Sequence, residues 1–273
     1  MSEYLKAIIF GIVEGITEWL PVSSTGHMIL MDEFIKLDVS ENFREVFLVL
    51  IQLGAILAVI IMFWEKIFPF QFKAGKENII RKDIFSMWFK VIVAVIPSAI
   101  IGVLFDEFFE EKFYNYQTVS IALIVFGIFF ILIENWNKKK QPMVNSIGEL
   151  SYKTTVIIGL FQVIAAIFPG VSRSGATIVG ALLIGVSRTV AAEFTFFLAI
   201  PTMFGASLLK LVKLGLGFTT QEYAILVFGL LSAFLVSLLA IQFLMNYVKK
   251  HDFKVFGWYR IVLGSIVMAY FMF

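Results

Sequence analysis

Two stretches of the sequence decide its fold: GIVEGITEWLPVSSTGHMIL at residues 11–30 and GLFQVIAAIFPGVSRSGATIV at residues 159–179. Each begins as an apolar run, meets a proline (Pro21 or Pro169), and continues through serine and glycine into a second apolar run. Proline removes a backbone donor and clashes with the preceding helical turn. Each stretch is therefore predicted to form two short helices separated by a break.

The composition shows which solvent these apolar runs require. Of the 273 residues, 60% are hydrophobic and 15% are charged, whereas soluble domains contain about 25% charged residues. The mean hydropathy is +0.92. So much apolar surface requires a lipid bilayer, so the sequence predicts an all-α integral membrane protein with one domain over residues 1–273. The net charge of +2 gives no reason to expect nucleic acid as a partner, and the absence of cysteine excludes disulfides and thiolate chemistry.

Hydropathy predicts six membrane spans, since a span needs roughly 20 mostly apolar residues. They are 46–64, 87–105, 117–136, 190–212, 223–246 and 255–273. The short pieces on either side of Pro21 and Pro169 cannot each cross the bilayer. We therefore expect two re-entrant hairpins, at residues 1–37 and 153–186, each entering and leaving on the same side of the membrane.

Loop charges predict the orientation, because basic loops stay on the cytoplasmic side. Basic residues concentrate at 65–82, 137–153 and 247–254, and acidic residues at 32–45 and 106–111. The first hairpin would then enter from outside and the second from inside. Each half would be one hairpin plus three spans. Because three crossings end on the opposite side of the membrane from where they began, the second half would start on the other side from the first. The sequence therefore predicts two inverted repeats, at about 1–137 and about 150–273.

The two broken stretches also align with each other, which supports the repeat. VSSTG at 22–26 lies over VSRSG at 171–175 after one inserted residue, and three upstream positions match: Gly11 with Gly159, Glu14 with Gln162, and Pro21 with Pro169. Ala166 stands where the first copy has Glu18. Inverted repeats with broken helices place sites near the bilayer midplane, so we expect Glu18, Ser24, His27 and Arg173 to converge there.

Ionisable groups at membrane depth are costly and usually functional. Glu14 and Glu18 are four residues apart and share one helical face. Two close carboxylates need a divalent cation, an arginine or a shared proton, unless both lie in water at the outer interface. Mg²⁺ or Ca²⁺ suits such oxygen ligands, with substrate phosphate completing the coordination.

A serine-rich turn follows the first proline and ends at a histidine. Ser23, Ser24 and His27 lie within five residues, so His27 could take a proton from a serine hydroxyl or from a water. The other histidine, His251, lies among lysines in a loop and is interpreted as solvated.

PGVSRSGAT at 169–177 has the pattern of a phosphate site. Proline and glycine break the helix, and a new helix would begin with free N–H groups and a positive dipole end. Arg173 adds a planar fork that matches phosphate oxygens. Ser172, Ser174 and Thr177 add hydroxyl donors.

Five polar groups elsewhere in the membrane could be either structural or functional. Arg188 is expected to pair with Glu193 at the cytoplasmic edge. Arg260 could face the site or neutralise Glu14 or Glu18. Gln52 and Gln162 could form hydrogen bonds between the repeats.

Three motifs in combination resemble one known family. EGITE at 14–18, PVSSTGH at 21–27 and PGVSRSGAT at 169–177 are similar to the signatures of the bacterial undecaprenyl-diphosphate phosphatase family, also called the bacitracin-resistance protein family. The resemblance implies removal of the terminal phosphate from undecaprenyl diphosphate, which recycles the lipid carrier of peptidoglycan precursors and confers bacitracin resistance. It also implies dependence on a divalent cation, inverted repeats with re-entrant hairpins, and a site facing the extracytoplasmic side of the cytoplasmic membrane.

The resemblance and the residue chemistry together give a candidate site with alternatives left open. The catalytic candidates are Glu14, Glu18, Ser24, His27 and Arg173; the phosphate-binding candidates are Ser23, Ser172, Arg173, Ser174 and Thr177. Ser24 could be the nucleophile with His27 as its base, or His27 could activate water. Glu14 and Glu18 could hold the cation or orient His27. The rival function is a polyprenyl-phosphate transporter or flippase, and a homodimer within the membrane lipids is left open.

Overall fold

A computed structural model describes residues 1–71 and 80–272, except for the side chains of Asp106 and Glu110. Two lysines of the basic segment 65–82, Lys73 and Lys76, lie outside the described residues. The described helices are α1 Glu3–Thr17, α2 Ser24–Phe34, α3 Glu41–Met62, α4 Trp64–Ile67, α5 Lys82–Phe113, α6 Tyr116–Asn137, α7 Tyr152–Ile167, α8 Arg173–Leu183, α9 Arg188–Leu214, α10 Thr220–Tyr247 and α11 Lys254–Met272, with a 3-10 turn at Ile147–Glu149 before α7.

Six of these helices are long and apolar enough to cross a membrane. They are Glu41–Met62, Lys82–Phe105 within α5, Tyr116–Asn137, Arg188–Leu214, Thr220–Tyr247 and Lys254–Met272. All six predicted spans are thereby confirmed. The acidic segment 106–111 lies after the span that ends at Phe105, as predicted, but it is helical and not a loop because α5 continues through it to Phe113. Residues 103–113 contain no proline or glycine, and glutamate and lysine favour helix.

Both broken stretches form two short helices, as predicted. α1 and α2 have 15 and 11 residues, and α7 and α8 have 16 and 11. The two breaks have the same local geometry. Ser23 (φ 74°) and Ser172 (φ 71°) are the two described non-glycine residues with positive φ, a conformation uncommon for residues with a side chain. Each caps the following helix by accepting a hydrogen bond from a glycine N–H three residues on, Gly26 or Gly175.

The first helix of each stretch packs against a long helix from the other half of the chain. α1 lies along α10, and α7 lies along α5. Close backbone approach holds both pairs together: a Cβ on Gly11 would lie 2.4 Å from the carbonyl oxygen of Gly229, and a Cβ on Gly159 would lie 2.2 Å from that of Ala94. α3 packs on α9 and α6 on α11, so the halves are interleaved through the whole bundle.

Polar side chains near the bundle ends pair differently from expectation. Arg188 bonds to the buried Glu134 on α6, with Nε 2.9 Å from Oε1 and Nη2 2.5 Å from Oε2. Glu193 instead accepts from Lys66 Nζ at 2.8 Å. The predicted Arg188–Glu193 pair is therefore wrong: residues five apart point about 140° away from each other on a helix.

Of the two glutamines expected to form hydrogen bonds between the two halves of the chain, Gln162 does so. Gln162 Nε2 donates to Ser98 Oγ on α5 at 2.5 Å and to Thr202 Oγ1 at 3.3 Å, so it links the two halves. Gln52 lines a cavity between the helices.

Candidate active site

The tips of the two broken stretches meet at the carboxylate of Glu18. Glu18 lies directly after α1, in the turn before the first break. Its Oε2 accepts a hydrogen bond from Ser24 Oγ at 3.1 Å, and its Oε1 accepts from Arg173 Nη2 at 2.7 Å. One carboxylate thus holds a hydroxyl from the first stretch and a guanidinium from the second.

The second tip is fixed to the first by further bonds. Ser174 Oγ donates to the backbone carbonyl of Glu18 at 3.1 Å. Arg173 Nη1 donates to the carbonyl of Thr195 on α9 at 2.8 Å. The guanidinium also lies over the indole of Trp19, 5.9 Å from the ring. Arg173 is therefore oriented on three sides, while its Nε has no hydrogen-bond partner among the described residues.

Glu14 is buried one turn before Glu18, on the same face of the helix. Glu14 Oε1 has no hydrogen-bond partner in the described part of the chain. Arg173 neutralises only one of two adjacent negative charges, so the pair requires a proton or a cation as well. A divalent cation fits this donor set, because both carboxylates are hard oxygen ligands and one oxygen is unpartnered.

The predicted phosphate-binding hydroxyls surround this cluster, and each already has an intramolecular partner. Ser172 Oγ lies 3.1 Å from Ser174 Oγ and also caps α8. Thr177 Oγ1 donates to the carbonyl of Arg173 at 2.9 Å and lies 2.8 Å from Thr195 Oγ1. Ser23 caps α2. In this arrangement the hydroxyls shape the turns that carry Ser24 and Arg173.

His27 lies beside the cluster and is not bonded to it. Its Nδ1 is 2.7 Å from the carbonyl of Ser23, so Nδ1 carries the proton because a carbonyl only accepts. Its Nε2 is 2.6 Å from the hydroxyl of Tyr259 on α11. Among the described residues the Ser24 hydroxyl bonds to Glu18 and not to His27. Glu18, Ser24 and Arg173 therefore converge as expected. His27 does not join them; its connection to the site is its hydrogen bond to the carbonyl of Ser23, the residue before Ser24.

A cavity of about 360 Å³ leads to the cluster. Glu14, Ser24 and Thr25 form part of its wall, and charged side chains of α3 and α9 line it as well: Glu41, Arg44, Glu45 and Lys210. Arg44 pairs with Asp32, and Lys210 Nζ lies 2.8 Å from Glu45 Oε2. The catalytic candidates are thus reached through a charged cleft between helices.

Comparison with known proteins places this arrangement in a family. The chain matches the family described as bacitracin resistance protein BacA over residues 7–266. The chain belongs to the BacA family. It is 65% identical over 270 residues to undecaprenyl-diphosphatase 1 of Clostridium acetobutylicum, covering 99% of this chain and 98% of that protein. Undecaprenyl-diphosphatases of Desulfitobacterium hafniense and Enterococcus faecalis are 62% and 61% identical, covering 99% and 97% of this chain and 97% and 96% of those proteins.

Arg260 connects the two breaks. The side chain is fully buried on α11, and Nη2 donates to the carbonyls of Gly170 at 2.9 Å and Val171 at 2.7 Å. Nη1 donates to the carbonyl of Pro21 at 3.3 Å. The suggestion that Arg260 neutralises Glu14 or Glu18 is wrong, because its partners are the carbonyls that the broken helices leave unpaired.

Sequence reasoning missed three residues that contact the candidate site. Thr195 supplies the carbonyl for Arg173, Trp19 lies under the guanidinium, and Tyr259 bonds His27. A tyrosine next to an arginine inside a predicted span was a usable signal for Tyr259. Thr195 contacts Arg173 through its backbone, which side-chain type does not reveal.

Proposed function

We propose that this protein hydrolyses undecaprenyl diphosphate to undecaprenyl phosphate and inorganic phosphate. The observation that carries the proposal is the Ser24–Glu18–Arg173 cluster inside a bundle of membrane-length helices. In phosphoryl transfer a hydroxyl can act as the nucleophile, a carboxylate as its base, and a guanidinium can stabilise the charge of the transferred group. A site within the membrane lets the polyprenyl tail stay in lipid. The named activity of the relatives agrees with this chemistry.

In the proposed reaction the Ser24 oxygen attacks the terminal phosphorus. Glu18 Oε2 accepts the serine proton, since it already receives that hydroxyl's hydrogen bond at 3.1 Å. The bond between the terminal phosphorus and the bridging oxygen breaks, and undecaprenyl phosphate leaves. Water then hydrolyses the phosphoserine and releases phosphate. Direct activation of water by His27 is the alternative; it is less supported because both ring nitrogens are engaged elsewhere.

Arg173 is proposed to hold the terminal phosphate. The unpartnered Nε, together with Nη2, presents an edge to a phosphate oxygen beside Ser24. Negative charge spreads over the equatorial oxygens in the transition state, so a fixed guanidinium stabilises it strongly. Its bond to the Thr195 carbonyl keeps the guanidinium plane in place. Ser23, Ser172, Ser174 and Thr177 would hold the surrounding turns and their N–H groups toward the diphosphate.

A divalent cation, Mg²⁺ or Ca²⁺, is proposed as cofactor, with Glu14 and Glu18 as the residues that would hold it. When bound, it would neutralise phosphate oxygens and offset the charge of the two carboxylates.

The proposed topology is two inverted repeats in the bacterial cytoplasmic membrane, each a re-entrant hairpin plus three spans. Three features support it. The four short helices, of 15, 11, 16 and 11 residues, are shorter than a span. The two breaks share the same positive-φ serine cap, and α1 on α10 mirrors α7 on α5. The cavity holding Ser24 has acidic Glu41 and Glu45 in its wall, whereas basic residues concentrate in other loops. By the charge rule it faces the extracytoplasmic side. A homodimer remains a prediction.

The decisive experiment is phosphate release from a polyprenyl diphosphate by the purified full chain in detergent, with and without chelator. The proposal expects turnover that stops on chelation and returns on adding Mg²⁺ or Ca²⁺. A detergent micelle offers no second compartment, so release there separates hydrolysis from transport. Lipid flux in sealed vesicles without phosphate release would instead favour a transporter. Overproduction is expected to raise bacitracin resistance in cells, and inactive Ser24→Ala should not.

A further inference from the structure

A second cavity, of about 600 Å³, lies where α3 and α4 end and α5 and α9 begin. Its walls come from α4, the first turns of α5, the turn at 145–148 and the start of α9. None of the catalytic candidates lines it, and it shares no residue with the cavity at Ser24. The phosphatase proposal leaves this cavity without a role.

The charges in this cavity do not balance. Two of its three cations each have a carboxylate: Lys66 Nζ lies 2.8 Å from Glu193 Oε1, and Arg81 Nη2 lies 3.0 Å from Asp83 Oδ2. Lys90, on α5, is the third. The lining therefore carries one positive charge in excess.

Lys90 is the buried cation of the set. Only 8% of the residue is exposed. Its Nζ donates to the carbonyl of Gly148 at 3.2 Å, and within the described ranges it forms no ion pair. An ammonium carries three donors, and a buried charge without a counter-ion is costly. An anion in the cavity would supply both the missing acceptors and the missing charge.

The N-terminus of α9 adds hydrogen-bond donors and a partial positive charge beside the same cavity. Ser187 is the N-cap of this 27-residue helix, and its side chain makes no capping hydrogen bond. The first backbone bond of the helix runs from the Ala191 N–H to the Ser187 carbonyl, and Thr189 and Val190, which precede Ala191, form part of the cavity wall. A helix N-terminus carries a partial positive charge that favours phosphate.

We propose that this cavity binds a phosphate-bearing anion between Lys90 and the N-terminus of α9. The volume suits a headgroup better than a bare ion, since small-molecule sites occupy about 300–1,000 Å³. Basic pockets between membrane helices bind acidic lipid headgroups, and Lys66 and Arg81 add two basic side chains to the wall of this one. The shared chemistry is a phosphate mono- or diester, which either an anionic phospholipid or free phosphate can supply.

The test measures binding to the purified full chain in neutral detergent. Dioleoyl phosphatidylglycerol, dioleoyl phosphatidylcholine and inorganic phosphate are added separately, and bound ligand is followed by native mass spectrometry and thermal unfolding. Wild type is expected to bind phosphatidylglycerol and to be stabilised by it, with little effect of phosphatidylcholine. Lys90→Met should weaken that binding by roughly tenfold or more, because it removes a charged hydrogen bond. Lys139→Met, which removes an exposed charge outside the cavity, should bind as wild type does.

The arms distinguish the two sources of phosphate. If inorganic phosphate alone stabilises wild type but not Lys90→Met, the site takes a soluble anion. If phosphatidylglycerol stabilises wild type and inorganic phosphate does not, the site takes a lipid. Equal binding by wild type and Lys90→Met, or equal effects of the two lipids, would overturn the proposal.

A second variant covers the case in which Lys90→Met does not fold. Thr189→Glu places a carboxylate at the second position of α9, where acidic residues favour the helix, and within the cavity that holds Lys90. It should abolish phosphatidylglycerol binding while the protein stays folded; undiminished binding by Thr189→Glu would also refute the site. Because the measurement is binding, it succeeds or fails independently of phosphatase activity.

Discussion

Replacing Glu18 with glutamine tests the centre of the proposed mechanism with little change in shape. Glu18 accepts two hydrogen bonds, from Arg173 Nη2 at 2.7 Å and from Ser24 Oγ at 3.1 Å. Glutamine has one acceptor oxygen and one NH₂ group. The guanidinium only donates, so the amide oxygen must face Arg173 and the NH₂ must face Ser24. The serine hydroxyl then becomes an acceptor, and its proton points away from any base in the cluster.

The expected loss follows from that reversal. General-base assistance contributes about 10²–10⁴-fold to rate, so kcat for phosphate release should fall by roughly that range, or about 3–5 kcal/mol in the barrier. The variant should still fold, because glutamine keeps a bond to each partner. KM should change less than kcat, because Arg173 remains to bind phosphate.

The assay is initial-rate phosphate release in detergent, normalised to protein that elutes as a single species. Glu222→Gln is the matched control. Glu222 is also a buried carboxylate, held by Ser40 and by Thr219 at the start of α10, away from the cluster. The Glu222→Gln variant should have a lower thermal stability than wild type and an unchanged kcat. If Glu18→Gln retains kcat within about threefold of wild type, Glu18 is not the proton acceptor and the water mechanism through His27 gains support.

Four further changes test other parts of the structure. Ser24→Ala should lower kcat by about 10³-fold or more by removing the nucleophile, and full turnover by pure variant would rule that role out. Arg173→Lys should lose about 10²–10³-fold in kcat/KM because a point charge replaces the planar fork; wild-type kinetics would contradict the assignment. Gly159→Ala should destabilise by roughly 1–3 kcal/mol or more, since its Cβ would lie 2.2 Å from the Ala94 carbonyl oxygen; thermal unfolding measures this, and an unchanged Tm would argue against the close α7–α5 contact. Arg260→Met should lower the Tm sharply, because three buried carbonyls lose a donor; unaltered unfolding would show that the breaks hold without it.

The sequence predicted the helices well because hydropathy and proline act locally. The six spans required only apolar length, and the two breaks required only Pro21 and Pro169. The convergence of Glu18, Ser24 and Arg173 followed from the repeat. The acidic segment 106–111 is helical and not a loop, because charge ends the membrane span without ending the helix and these residue types favour helix.

Partner choice between distant segments could not be predicted in the same way. Arg188 was assigned to Glu193 on its own helix, whereas its partner Glu134 lies on α6 and 54 residues away. Arg260 was expected to neutralise a carboxylate and instead satisfies backbone carbonyls of both breaks. The two errors have different causes. For Arg188, the sequence does not show which distant helix packs beside α9; for Arg260, it does not show which backbone carbonyls the fold leaves unpaired.

The proposed repeat would also explain how one carboxylate bonds two different groups, a hydroxyl and a guanidinium. Ser24 and Arg173 align with each other, and each is the first residue of the second helix in its stretch. If the halves are related by a pseudo-twofold axis, these positions face one another across it, and Glu18 lies close enough to reach both. The second copy has Ala166 in place of Glu18, and Ala166 is exposed. At these two aligned positions Glu18 is therefore the one carboxylate, and it bonds both Arg173 and Ser24. Because Nη1 of Arg173 is held by the Thr195 carbonyl, Nε is the donor without a partner among the described residues.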